Sequence, residues 1–178
     1  MKRSQLNPMP EYFDRYINKC DDVTVLEAIQ TSIDELDRFP VDKWKALGDS
    51  VYAPGKWTVK DILQHLIDTE RVFTYRALAF ARGEAEVLPS FDEDAYAEQA
   101  GACNRSLEAL IDELRRVHLS SLDLFASFSL EALARIGRTA TGQYSTAAIA
   151  FCMAGHQRWH LEILEERYYP LLSESATL

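Results

Sequence analysis

The sequence has few cysteines, a deficit of basic residues and no long apolar run. Cys20, Cys103 and Cys152 are odd in number and far apart, which argues against a disulfide framework or a zinc ribbon and favours reduced thiols. Lys and Arg number 19 against 28 Asp and Glu, giving a formal net charge of −9. Such a surface is unsuited to nucleic acid. These absences predict a cytoplasmic protein that does not bind nucleic acid.

Membrane segments are also lacking. Apolar residues make up 47% of the chain, yet no run approaches the roughly 18 residues needed to cross a bilayer. The chain starts with two basic residues, Lys2 and Arg3, but no apolar stretch follows, so we expect neither a signal peptide nor a membrane anchor. The length fits one domain with a sizeable core. We predict a single domain over residues 1–178, with residues 1–20 as an N-terminal extension.

Four segments have the three- and four-residue apolar periodicity of helices, and hardly any part of the chain alternates like a strand. The predicted helices span about residues 22–39, 58–82, 104–127 and 145–169. Thr58 starts a T-V-K-D sequence typical of a helix N-terminus, Gly83 suits the end of that helix, and Pro170 is expected to end the fourth. The sequence predicts an all-α fold, a four-helix bundle with long connections.

Three histidines lie on the apolar faces of these helices. His156 and His160 are four residues apart on the fourth helix, about 40° apart around its axis, and His65 lies on the second. One metal ion can satisfy three buried imidazoles, and histidines at i and i+4 can bind the same ion. Histidines satisfied by hydrogen bonds in the core are the alternative, and spacing alone does not decide between the two.

The depths of the histidines predict the order of the helices. His65 lies about 10 Å from the N-terminal end of its helix, and His160 about 13 Å from the C-terminal end of its own. These levels agree if the second and fourth helices are antiparallel, which requires an up-down-down-up order. The segment from Gly83 to Cys103 is long enough for the crossover this order needs. His118 lies about 10 Å from the level of His65 and is expected to be a core or boundary histidine.

The H-Q-R-W-H sequence has the histidine spacing of zinc proteases but lacks their general base. Gln157 stands where the catalytic glutamate would be, and an amide cannot take up a proton in that role. The sequence contains no E-x-x-H pair, no G-x-S-x-G, no phosphate-binding glycine loop and no C-x-x-C. A site of three nitrogens with open positions for water is therefore expected.

Three stretches resemble the DinB/YfiT-like superfamily of four-helix metalloenzymes. They are KWTVKDILQHLIDTERVFTYRALAFARGE, LPSFDEDAY and AGHQRWHLEILEERY, and the resemblance covers nearly the whole chain after about residue 20. It implies that His65, His156 and His160 bind one divalent metal ion, zinc or nickel, and that the bundle has an unusual order. Many members have a further histidine directly before the last ligand, where Trp159 stands here.

The resemblance implies a metal more specifically than a reaction. Relatives include small-thiol-dependent transferases or isomerases, hydrolases and damage-inducible proteins. We expect an enzyme in which a metal-activated water or low-molecular-weight thiol attacks a small organic substrate. The alternative is a metal-binding stress-response or interaction module without turnover, and a homodimer is compatible with both. A purely structural ion is disfavoured, because structural zinc usually has four ligands and is rich in cysteine.

Acidic residues near the predicted site are candidates for proton transfer. Asp92 lies in the F-D-E-D stretch, in a short helical turn predicted over residues 92–99, and Asp68 follows His65 by three residues. Asp68 and Asp61 can also orient an imidazole, while exposed helical acids are the alternative for all three. The residues expected around the mouth of the site are Trp44, Tyr52, Trp57, Asp92, Glu93, Asp94, Tyr96 and Tyr168.

Overall fold

The computed structural model describes residues 1–175, and the side chains of residues 1–173; residues 176–178 of the predicted domain lie outside this range. The fold is mostly helical, and no helix in the described range is long and apolar enough to cross a bilayer. The helices are α1 (Asp14–Ile17), α2 (Val25–Glu35), α3 (Val41–Leu47), α4 (Val59–Ala81), α5 (Glu93–Ala100), α6 (Leu107–Ala126), α7 (Leu130–Ala134), α8 (Thr146–Ile163) and α9 (Tyr169–Ser175). Short 3₁₀ segments lie at Arg3–Gln5, Leu36–Arg38 and Ala102–Asn104.

The four predicted long helices correspond to α2, α4, α6 and α8, which confirms the four-helix bundle. The predicted start of α4 is confirmed in detail. The Thr58 hydroxyl accepts a hydrogen bond from the backbone N–H of Asp61, whose carboxylate accepts one from the N–H of Thr58. This capping box satisfies donors that the first turn leaves free. At the other end, Gly83 adopts a φ of 83° just after the helix, a conformation that glycine adopts without strain.

The predicted end of the fourth helix is wrong. A π-helical turn, Leu164–Tyr168, follows α8, and α9 then continues from Tyr169 through Pro170. Proline is tolerated there because it lies in the first turn of α9, where its missing N–H would lack an intrahelical partner in any case. The chain therefore stays helical beyond Pro170.

The predicted connection before the fourth helix contains a small antiparallel sheet. Strand β1 (Ile136–Thr139) pairs with β2 (Gly142–Ser145), and Ile136 faces Ser145 in the register. Four residues per strand are too few to give a readable alternation in the sequence. Helix α3 likewise lies in a predicted connection, the one between the first two long helices.

Residues from the N-terminal segment belong to the core. Leu6, Phe13 and Ile17 are buried in the same cluster as residues of α8. Gly155 allows this packing: a Cβ atom there would lie 1.8 Å from the carbonyl oxygen of Tyr16. A larger residue at position 155 would therefore push α1 away from α8.

The contacts of α4 with α8 join opposite ends of the two helices. Just before α4, the Trp57 carbonyl accepts a hydrogen bond from the Tyr168 hydroxyl, beyond the end of α8. Near the end of α4, the Phe80 ring lies 5.6 Å from that of Tyr144, which precedes α8. These two helices are therefore antiparallel.

The contacts of α4 with α6 join like ends. Gln64 accepts a hydrogen bond from Arg105, just before α6, and further along Thr74 contacts Ser121. The two helices are therefore parallel, and the connection between them spans the bundle. The up-down-down-up order requires both pairings, and for the bundle as a whole it stays a prediction.

Candidate metal centre

Helices α4 and α8 bring three histidines together inside the bundle. The Nε2 atom of His156 lies 3.2 Å from Nε2 of His65 and 3.0 Å from Nε2 of His160. One ligand atom from each of the three lies within 4.8 Å of the other two. The structure thus places side by side the three residues that the sequence predicts as metal ligands.

Burial favours the neutral form of all three imidazoles. Burial together with the nearby His160 lowers the pKa of His65 to about 3, and burial lowers the pKa of His160 to about 4. The pKa of His156 is also well below its ordinary value, because of burial and the two neighbouring histidines. A neutral imidazole has one ring nitrogen with a free lone pair. This neutral form is the one that binds a metal.

The donor set fits a divalent cation. Metal–nitrogen bonds of about 2.0–2.1 Å at ordinary coordination angles place the ligand nitrogens about 3 Å apart, close to the two measured separations. The group of potential ligands contains no fourth His, Cys, Asp or Glu among the described residues. Three protein ligands with a position left for another molecule is the pattern of catalytic rather than structural zinc sites.

A cavity of about 240 Å³ opens beside the histidines. Its volume suits a small organic molecule. The aromatic residues of its lining are Tyr12, Phe13, Tyr16, Trp57, Phe73, Phe91 and Trp159. The polar residues of its lining, apart from the histidines, are Thr69, Arg76, Ser90, Glu93 and Thr141.

The N-terminal segment supplies part of the cavity wall, which the sequence did not predict. The Tyr16 ring contacts His156 edge to face at a centroid distance of 5.1 Å, and contacts Trp159 at 5.5 Å. Burial raises the pKa of Tyr16 to about 12, so its hydroxyl stays protonated at neutral pH. The sequence signal for this contact is Gly155, since a glycine inside a helix often marks a close approach by another backbone.

Among the predicted mouth residues, Trp57 and Glu93 line this cavity. The Trp57 ring lies 4.5 Å from the His65 ring and 6.3 Å from the His160 ring. Trp57 and His160 also line a second cavity of about 230 Å³, where Tyr52, Asp94 and Tyr168 lie. Five of the eight predicted mouth residues are therefore divided between two cavities that meet at Trp57 and His160.

Trp44 and Tyr96, two of the other three predicted mouth residues, lie elsewhere. Trp44 is buried against Phe39, and its Nε1 donates a hydrogen bond to the Tyr169 hydroxyl. Tyr96 is exposed and packs on Phe91. Neither residue is among those lining the two cavities.

Asp92 and Asp68, the candidate catalytic acids, are not brought into the cavity. Asp92 is exposed and caps α5, accepting hydrogen bonds from the backbone N–H groups of Asp94 and Ala95. Asp68 accepts a hydrogen bond from Gln64. The polar group near Nδ1 of His65 is instead the Thr69 hydroxyl, at 3.4 Å. A catalytic role for either acid stays a prediction.

His118, the remaining histidine, is buried outside the cluster. Its Nδ1 lies 2.7 Å from a carboxylate oxygen of Glu70, and its Nε2 lies 2.8 Å from the side-chain oxygen of Gln157. Gln157 in turn donates hydrogen bonds to the Ser32 carbonyl and the Glu35 carboxylate. Gln157, the residue in the place of a protease glutamate, therefore belongs to a polar network that crosses the bundle.

The three cysteines are free thiols. Burial raises the pKa of Cys20 to about 11, and it raises the pKa of Cys152 further. Neither of these two thiols is therefore a nucleophile at neutral pH. The third thiol, Cys103, is exposed and is not part of the lining of the cavity beside the histidines.

No curated protein is significantly similar in sequence. Among solved structures, YfiT from Bacillus subtilis is similar over 94% of this chain and 89% of its own, with a TM-score of 0.64 and 18% identity. YfiT is described as a probable metal-dependent hydrolase with an unusual four-helix bundle topology; at this identity the likeness shows the fold. The family model of the DinB superfamily matches residues 8–164, so this chain belongs to the DinB superfamily.

Proposed function

We propose that this protein is a metal-dependent enzyme acting on a small organic substrate in the cavity beside His65, His156 and His160. The observation that carries the proposal is the cluster of three neutral imidazoles in the wall of an aromatic cavity. Membership of the DinB superfamily and the structural likeness to YfiT, a probable metal-dependent hydrolase, support it.

The three histidines would hold one divalent ion per chain, zinc or nickel. When bound, such an ion makes a coordinated water or thiol nucleophilic at neutral pH. The reaction is then a hydrolysis, or a transfer to a low-molecular-weight thiol. We also propose a cytoplasmic location and a small molecule as the partner; a homodimer is a further proposal, which a measurement of mass in solution tests.

The cavity residues orient the substrate and handle protons. The rings of Tyr16, Trp57 and Trp159 exclude water and contact its apolar part. The protonated Tyr16 hydroxyl can donate a hydrogen bond to a substrate oxygen. Glu93 is the carboxylate of the cavity lining, and we assign it the proton transfer. Asp92 supports it by capping α5, whose first residue is Glu93.

The experiment is a screen of small esters, amides and other electrophiles, each with and without added thiol. It uses protein purified without a polyhistidine tag, in metal-loaded and metal-free forms. We expect turnover that requires metal, and its dependence on thiol separates a transferase from a hydrolase. His156→Ala should abolish turnover, whereas His118→Asn, which changes the histidine outside the cluster, should retain it.

Two outcomes contradict the proposal. Turnover that survives complete removal of metal would show that the histidine cluster is not the catalytic centre. Full metal occupancy without turnover of any substrate class would instead favour a metal-binding module.

A further inference from the structure

Arg76 is a buried cation in the wall of the cavity. It lies on α4, three turns beyond His65, and is 4% exposed. Its Nη2 donates a hydrogen bond of 2.8 Å to the Pro89 carbonyl. The Phe73 and Phe91 rings lie 5.4 Å and 5.9 Å from the guanidinium carbon. All of these neighbours are electrically neutral.

Among residues 1–173, no carboxylate forms an ion pair with this cation. Glu93 lines the same cavity but is exposed, at the start of α5, and forms no ion pair with Arg76. By contrast, buried Glu70 is paired with His118, and the largely buried Arg158 with Glu35. A buried guanidinium without a counter-charge is unfavourable. Its neutral partners, the Pro89 carbonyl and the nearby Tyr144 hydroxyl, can occupy only part of its five N–H groups, and the others remain available to a ligand.

Further positive charge lies at the rim of the cavity. The Arg15 guanidinium lies 3.9 Å from the centre of the Tyr12 ring, and the Lys19 ammonium lies 5.1 Å from that of Trp159. Both rings line the cavity, although Lys19 is also paired with Glu162. In a protein of net charge −9, Arg15 and Arg76 are the cations at this cavity that form no ion pair within residues 1–173, and they favour an anion there.

We propose that the substrate is a small organic acid whose carboxylate pairs with Arg76 in this cavity. The inference rests on the proposed function for the assignment of the cavity as the substrate site. One buried cation balances one negative charge, and the planar guanidinium matches a carboxylate with two parallel hydrogen bonds. The aromatic walls accept the apolar remainder of the acid. The carboxylate anchors the substrate to Arg76, and another group of the substrate reacts.

The test measures binding of benzoate and its neutral analogue benzamide to metal-free protein at low ionic strength. Fluorescence of Trp57 and Trp159, both in the cavity lining, reports binding. We expect benzoate to bind about tenfold more tightly than benzamide, as a charge-assisted pair requires. Arg76→Met should abolish the preference. Arg82→Met, which removes an exposed charge from the end of the same helix, should retain it.

This measurement is independent of metal content and of turnover, so it distinguishes a failure of the proposal from a failure of the proposed function. Equal binding of the two probes by the wild-type protein would overturn the proposal. So would an equal loss in Arg76→Met and Arg82→Met, because the preference would then reflect overall charge. If Arg76→Met does not fold, Arg76→Lys keeps the charge but lacks the two parallel N–H groups of the guanidinium. We expect this variant to bind benzoate several-fold more weakly and benzamide as the wild type does.

Discussion

The bundle holds one isolated histidine, His118, and a cluster of three, His65, His156 and His160, and the two differ in their partners. His118 has a protein partner on each ring nitrogen, Glu70 and Gln157. Burial alone would lower the pKa of His118, but the Glu70 carboxylate, the hydrogen bond with Gln157 and the Glu35 charge together outweigh burial and raise it. His65, His156 and His160 have mainly one another, and the pKa values of all three are lowered.

The hydrogen bonding of the His118 ring is satisfied within the protein, whereas, among residues 1–173, that of the three clustered rings is not. Buried polar groups are normally satisfied, and the contacts of His118 meet that requirement within the protein. In the cluster of three, Nε2 atoms face Nε2 atoms, and a divalent cation would satisfy all of them at once. The two sets should therefore respond in opposite ways to metal, acid and mutation.

The largest expected effect is on metal binding. His156→Ala removes the nitrogen that lies nearest to both of the others, and we expect metal affinity to fall by at least about a hundredfold, since two ligands hold such an ion weakly. His118→Asn should bind one ion per chain as the wild type does. Elemental analysis after dialysis against a weak chelator checks both, and equal occupancy in the two variants would contradict the assignment.

Acid should destabilise the metal-free protein, because the clustered histidines bind protons less readily in the folded than in the unfolded chain. An unfolded histidine has a pKa of about 6.5, whereas the folded values for His65 and His160 are about 3 and about 4. Between these pH values the unfolded chain binds more protons. Stability is therefore full above about pH 6.5 and falls as the pH falls, by up to about 1.4 kcal/mol per pH unit for each histidine.

The comparison with His118 gives this prediction its control. The pKa of His118 is raised, so its contribution is present below the unfolded pKa and is lost as the pH rises through the folded pKa. Urea unfolding from pH 7 to pH 5 should show a shallower acid loss in His65→Ala than in the wild type, and a steeper one in His118→Asn. An unchanged slope in His65→Ala would show that its folded pKa is not depressed.

Removing Glu70 should cost stability without affecting metal. Glu70→Ala leaves His118 and Ser121 without the carboxylate that both contact, and breaking a buried pair costs about 3 kcal/mol or more. Glu131→Ala removes the exposed partner of Arg135 and should cost less than about 1 kcal/mol. Denaturant unfolding measures both variants. Similar losses in the two would mean that the His118 network contributes little.

Much of the fold and the centre of the site could be predicted from the sequence because both depend on periodic, local signals. Apolar residues at helical spacing located the long helices, and the Thr58 box located the start of α4. The spacing of His156 and His160 identified one face of α8, and helix depth placed His65 at the same level. These inferences need only helix geometry.

The remainder depends on contacts between segments distant in sequence. Tyr16 belongs to a helix of one turn, too short to show a face, and its place in the cavity follows from its packing on Gly155. Asp92 and Glu93 are adjacent, and a helix turns by 100° per residue. Which of the two acids faces the cavity depends on how α5 packs, and local sequence does not specify that.

Gly155→Ala tests how closely the N-terminal segment is coupled to the cluster. The new Cβ would collide with the Tyr16 carbonyl, and overpacking of this kind typically costs about 1–3 kcal/mol. Because Tyr16 contacts Trp159, the tryptophan fluorescence should change as well. Ala154→Gly, at a neighbouring buried position of α8, gives the combined effect of changing one buried Cβ atom and the helix propensity. A fully stable Gly155→Ala variant with unchanged fluorescence would show that α1 does not depend on this contact.

The smallest expected effect is that of Asp92→Asn, and its neighbour Glu93 provides the comparison. Asn caps a helix about as well as Asp, so Asp92→Asn should change the free energy of unfolding by less than about 0.5 kcal/mol. Because Asp92 acts through the cap rather than in the cavity, turnover should also stay within about twofold of the wild type. Glu93→Gln keeps the shape of the cavity lining but removes the group that moves a proton, a role worth about 10²-fold or more. Turnover measured on both variants under the same conditions decides between the acids. If Asp92→Asn lost as much turnover as Glu93→Gln, Asp92 would be the catalytic acid. Helix α5 would then have to rotate or close over the cavity when substrate is bound.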